Sequence, residues 1–110
     1  PDGLALSSRN RYLSPAQRRQ ATCLYRALRR AEDLIRGGQT DSRAIFAAMR
    51  ELILSAGPAD LPRPTIEYIE VVDPDEVTPV PRITAPVLVA LAVRIGPARL
   101  IDNATINPHA

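Results

Sequence analysis

Two strand-like runs near the end of the chain, Val87 to Ile95 and Arg99 to Ile106, are joined through Gly96-Pro97. A parallel pair needs a crossover of about a dozen residues or more, so a link this short forces the two runs to lie antiparallel. Glycine and proline are also the residues a tight turn asks for. Val87 to Ile95 is nearly continuous apolar, the pattern of a strand covered on at least one face and flanked by other strands. In the last run Leu100, Ala104 and Ile106 share one face.

Upstream, Thr65 to Val72 is rich in β-branched and aromatic residues and is read as a third strand. Asp73 to Val77 has room for one helical turn, and Thr78 to Pro86 is a proline-punctuated loop. The first half has a different period. Ser14-Pro15 is a helix start, with serine as N-cap and proline where its missing N–H costs nothing. Ala21, Leu24, Tyr25, Leu28, Ala31 and Ile35 then recur as one stripe until Gly37-Gly38. Thr40 or Asp41 caps a second helix carrying Ile45, Phe46, Met49, Leu52 and Ile53, which Gly57-Pro58 closes. Gly57 to Pro64 holds three of the eleven prolines and is expected to be a rigid connector.

Two amphipathic helices followed by three strands predict an α+β fold. The helices pack on one face of a three-stranded antiparallel sheet, because each stripe must be hidden against an apolar sheet face. A chain of 110 residues with 45% hydrophobic content suits one such domain. The longest apolar run, Ala85 to Val93, is too short to cross a bilayer. The 14 basic residues are all arginine, which removes lysine-based Schiff-base and phosphate-loop chemistry. One cysteine and one histidine leave neither an intrachain disulfide nor a zinc cluster, and the expected compartment is the reducing cytosol. The chain opens on Pro1 directly before a polar motif, which reads as a piece of something longer.

That motif is Leu6-Ser7-Ser8-Arg9-Asn10 within the loop-like residues 1–13. Adjacent hydroxyls, a guanidinium and an amide offer several donors to one anion, and arginine can hold two phosphate oxygens at once. On its own, Ser-Ser-Arg is as compatible with an ordinary solvated loop. The longer segment Asp2-Gly3-Leu4-Ala5-Leu6-Ser7-Ser8-Arg9-Asn10-Arg11-Tyr12-Leu13, however, resembles the signature that opens the C-terminal domain of the pantothenate synthetase (pantoate–β-alanine ligase) family. The resemblance continues through Ser14-Pro15 and the following helix. It returns at Tyr68 to Asp73, Ala92 to Gly96 and Arg99 to Asn103.

The resemblance implies a cytoplasmic, ATP-dependent ligase that condenses pantoate with β-alanine through a pantoyl-adenylate, releasing pyrophosphate and then AMP. It implies that residues 1–110 are the C-terminal lid domain and that the N-terminal Rossmann-like domain is absent from this chain. Carried over residue by residue, Leu6, Ser7, Ser8 and Arg9 line the ATP site, and no catalytic acid or base falls in this domain. ATP is a substrate, magnesium is expected for the full enzyme without being ligated by this domain alone, and the full enzyme is expected to be a homodimer. No membrane or nucleic-acid partner is implied.

Other residues have plainer readings. Arg18, Arg19, Arg26, Arg29, Arg30 and Arg36 fall opposite or beside the apolar stripe, as a solvated face with Glu32–Arg36 and Arg29–Asp33 pairs. The rival use of that face is a stand-alone module binding nucleic acid or acidic protein. A second rival is an oligomerisation domain with an exposed sheet edge. Cys23 winds to the arginine side and is expected to be an unreactive, partly covered thiol. His109 falls at the frayed end. Tyr25 and Phe46 are core by position, and Glu67 and Glu70 are expected on opposite faces of their strand. Asp102 and Asn103 belong to the resemblance without an evident chemical role.

Overall fold

The computed structural model describes residues 15–56 and 63–108. The helices are α1 (Pro15–Ala21), α2 (Cys23–Arg36) and α3 (Ser42–Leu54), and the strands are β1 (Thr65–Val72), β2 (Val87–Ile95) and β3 (Ala98–Ile106). The strands form one antiparallel sheet in the order β1-β2-β3. The helices cover one face of it, as the sequence predicts.

The first helical stripe is interrupted at Thr22. Its hydroxyl donates to the Arg19 carbonyl at 2.7 Å, and its N–H reaches the same carbonyl at 3.3 Å instead of the one a full turn back. Back-bonding of this kind bends a helix, so one periodic pattern becomes α1 and α2. At the other end of α2, Gly38 adopts φ 106, and its N–H reaches Ile35 O at 3.2 Å while that of Gln39 reaches Leu34 O at 2.9 Å. These two bonds satisfy carbonyls the helix leaves open, and glycine takes the left-handed conformation without a Cβ clash.

Asp41, one of the two predicted caps, is the N-cap of α3, where its carboxylate accepts from the Arg43 N–H at 2.9 Å. The loop after β1 straps this junction. Ile83 N–H donates to Thr40 O at 2.7 Å, and the Ser42 hydroxyl donates to Pro81 O at 3.1 Å. α3 ends at Leu54, with the Ser55 hydroxyl on the Leu52 carbonyl at 3.1 Å. The closing residue is therefore Ser55, ahead of the predicted Gly57-Pro58. Serine can bond the last carbonyls itself, so the helix need not run on to the glycine.

The core is aliphatic. Leu24, Leu28, Ile35, Ile45, Met49 and Ile53 of the helices meet Val89, Leu91, Val93, Leu100 and Ile106 of the sheet. Each such side chain contributes roughly 1.5–3 kcal/mol when fully buried. Phe46 is half-buried against this cluster, but Tyr25 is 44% exposed and lies outside it. An amphipathic tyrosine at the margin of a stripe leaves its ring partly in water.

β2 and β3 are joined at Gly96-Pro97, with Gly96 at φ 57. A positive φ followed by proline is the sign pattern of a type II′ turn, whose twist matches the strands it joins. The turn predicted at Asp73 to Val77 also forms. Val77 N–H donates to Asp73 O at 2.8 Å, and the Asp73 carboxylate accepts from the N–H groups of Asp75 and Glu76 at 2.8 and 2.9 Å.

Register in β1 shifts between Ile66 and Tyr68. Ile66 lies opposite Val93 and Tyr68 opposite Ala92, leaving Glu67 as the extra residue of a bulge. Glu67 therefore joins the face of Arg94 and Arg99, and Glu70, opposite Ala90, lies on that same face. The expectation that Glu67 and Glu70 point to opposite faces fails, because simple alternation does not hold across a bulge.

Candidate functional site

Leu6, Ser7, Ser8 and Arg9 lie outside the described residues, as do Ser14 and His109. The first described feature after that segment is the start of α1, where Pro15, Arg18, Arg19, Thr22 and Arg26 line an open groove of about 620 Å³. Its three arginines have exposed side chains. Pro15, Arg18, Arg19, Thr22 and Arg26 share one side of the helical run at three- and four-residue spacing. On the next turns Arg36 pairs with Glu32 at 3.6 Å, whereas the Arg29–Asp33 pair does not form.

Cys23 is fully buried at the junction of α1 and α2 and belongs to the hydrophobic core. Burial pushes its thiol from the ordinary 9.0 up to about 12, against the smaller lowering effect of Arg26. A thiol in that state is neutral at any physiological pH and is a packing residue, not a nucleophile. It faces inward, where the sequence placed it on the arginine side.

The principal charged constellation among the described residues is on the outer sheet face. Glu67 accepts from Arg94 Nε at 2.9 Å and from Arg99 Nε, one carboxylate oxygen to each guanidinium. Its pKa lies below the ordinary carboxylate value, first because of the Arg99 hydrogen bond and then that of Arg94, with desolvation opposing. Arg94 and Arg99 are directly paired across β2 and β3, so the carboxylate relieves a like-charge contact that would destabilise the sheet. Sequence reasoning missed this cluster, because only the bulge brings Glu67 to it. Asp102, half-buried on the helix side, accepts from the Asn103 N–H at 2.9 Å, while the Asn103 side chain is on the outer face.

Among the described residues no three His, Cys, Asp or Glu side chains converge to hold a metal ion. No helix among them is long and apolar enough to cross a membrane.

A protein-family model described as pantoate-beta-alanine ligase matches residues 1–105, a span that includes Leu6 to Arg9. The chain belongs to the pantoate–β-alanine ligase family. It is 46% identical over 102 residues to a pantothenate synthetase of Oleidesulfovibrio alaskensis, covering 93% of this chain and 35% of that protein. Against a bifunctional pantoate ligase/cytidylate kinase of Synechococcus elongatus it is 46% identical over 107 residues, covering 97% of this chain and 19% of that protein. The crystal structure of pantothenate synthetase from Thermus thermophilus superposes with a TM-score of 0.79 at 36% identity, covering 94% of this chain and 35% of that one. The chain thus spans about a third or less of the length of these family members.

Proposed function

We propose that this chain is the C-terminal lid part of a cytoplasmic pantoate–β-alanine ligase and that its Leu6-Ser7-Ser8-Arg9 segment contacts the phosphates of ATP. The observation that supports this most is the family match running unbroken through that segment into a two-layer domain of the same fold. The companion part is a nucleotide-binding domain that holds ATP and pantoate, and the full enzyme is a homodimer.

The reaction suits a segment with donors and no base. An oxygen of the pantoate carboxylate attacks the α-phosphorus of ATP, the bond from that phosphorus to the bridging oxygen breaks, and pyrophosphate leaves. The β-alanine amine then attacks the acyl carbon and gives up a proton, and AMP departs with the electron pair of the acyl–oxygen bond. A carboxylate is already a nucleophile, so the first step requires alignment and a sink for charge on the departing oxygens. The Ser7 and Ser8 hydroxyls supply hydrogen bonds, and the Arg9 guanidinium supplies two more with a full positive charge. Covering the adenylate also excludes water that would hydrolyse it.

An assay of pantoate-dependent AMP formation tests the reading. The full-length polypeptide carrying this chain is expected to turn over and the 110-residue chain alone is not. Turnover by the isolated chain near that of the full-length protein would overturn the division of labour.

A further inference from the structure

Where α3 runs beside β1, the two layers leave a groove between them. Arg43, Phe46, Ala47 and Arg50 recur along α3 at three- and four-residue spacing and so share one side of the helix. With Ile66 and Ile69 of β1 they line a groove of about 420 Å³. The register shift at Glu67 lets both isoleucines face the helices although their spacing is odd. Phe46, Ile66 and Ile69 pack on the core from one side and are only half-buried.

The floor is apolar and the rim is cationic. Arg43 and Arg50 are two helical turns apart, roughly 10 Å along α3, with Phe46 and Ala47 between them. Among the described residues no acid lines this groove. Arg43 reaches only Asp41, at 3.5 Å, and that carboxylate already caps α3. Arg50 has no acidic partner among the described residues. An apolar lining with a few charged groups at its margin is the composition of a small-molecule site, and the volume is of the usual size.

A second observation comes from the far end. Past Phe46 and Ile69 the groove meets a further hollow of about 250 Å³, whose wall includes Val77 and Pro79. Val77 sits at φ 56, held by its N–H on Asp73 O at 2.8 Å, and is 61% exposed. A β-branched residue rarely adopts that conformation, and backbone strain of this kind gathers where ligands are clamped. Glu70 borders the same hollow. A ligand lying along both hollows meets cations first, then apolar side chains, and finally a carboxylate that turns away an anionic end.

We propose that the groove between α3 and β1 binds a small amphiphilic carboxylate, its head on Arg50 and Arg43 and its alkyl chain over Phe46 and Ile69 toward Val77. The charges select the class. A neutral apolar ligand would leave two guanidinium groups unused, and a cation would be repelled by them. The site takes no residue from Leu6 to Arg9 and stands independently of the ligase reading.

The test is calorimetric titration of octanoate into the full-length polypeptide, with ATP and pantoate saturating so that any site for them is filled. Saturable binding is expected. Arg50→Gln should weaken it roughly tenfold, the scale of losing one hydrogen bond to a charged group, and octanol should bind the wild type more weakly than octanoate by a similar factor. Ala47 is exposed on α3, so Ala47→Phe fills the groove without entering the core and should abolish binding. No saturable binding would overturn the proposal. So would equal affinity in the wild type and both variants, which would place octanoate elsewhere, or octanol binding as tightly as octanoate. The comparison of octanol with octanoate needs no variant, so it decides the matter even where a substitution unfolds the protein.

Discussion

Cys23 offers a sensitive report on how the helices seat on the sheet. It is buried at the α1–α2 junction, and its thiol is raised from 9.0 to about 12 by desolvation. Near pH 8 a thiol titrating at 9.0 is about one-tenth ionised, and one titrating at about 12 only about one part in ten thousand. Since the thiolate is the reacting form, thiol–disulfide exchange by the native protein is expected to run roughly 10³-fold slower than by a free thiol. Stopped-flow reaction with Ellman's reagent, native and in urea, measures both limits. The same shift has a sign for stability. The folded state holds the proton more tightly, so the stabilisation is complete below 9.0 and is lost as pH rises from 9.0 toward about 12. By the upper end of that window the loss is on the order of 4 kcal/mol. A native rate within tenfold of the unfolded one, with a urea midpoint flat across that window, would mean that Cys23 is not sealed in the core.

Three further outcomes follow from particular residues. Met49 is fully buried between α3 and the sheet, so Met49→Ala is expected to cost about 2–5 kcal/mol in urea unfolding. A loss well under 1 kcal/mol would contradict the packing described. Asp41→Asn should keep the N-cap hydrogen bond to Arg43 but remove the charge. The Asp41 carboxyl is held below its ordinary value by the Arg43 N–H, so that charge adds stability above the unfolded value of 3.8 and loses it as pH falls through the lower folded value. The wild-type advantage over Asp41→Asn should therefore be present at neutral pH and vanish in strong acid, and its persistence there would refute the assignment. Glu67→Gln removes the carboxylate charge shared by the cross-strand pair Arg94 and Arg99, so thermal stability should drop at low salt and recover partly as salt screens their repulsion. No dependence on salt would count against the cluster.

The two-layer fold was legible because its determinants are local. Proline at the start of α1, the glycines that end α2, Asp41 at the start of α3 and Gly96-Pro97 between β2 and β3 each impose a backbone geometry that the neighbouring sequence cannot override. Three features were not legible. The break at Thr22 arises from a side-chain hydroxyl bonding the carbonyl three residues back, that of Arg19. The early end of α3 at Ser55 arises the same way, so periodicity alone could not locate either. The bulge at Glu67 depends on how β1 meets β2, a long-range pairing, and with it went the Glu67–Arg94–Arg99 cluster. Leu6 to Arg9 stand out in the sequence by chemistry and by resemblance and fall within the family match, but they lie outside the described residues.

The most direct measurement is the rate of pantoyl-adenylate formation by the full-length polypeptide with Arg9→Ala, followed as pyrophosphate release at saturating pantoate. On the proposed reading, in which the Arg9 guanidinium stabilises charge on the departing phosphates, its loss should slow this step by roughly 10²-fold or more while the protein remains folded. Wild-type kcat and KM for ATP in that variant would mean that Arg9 does not touch the triphosphate.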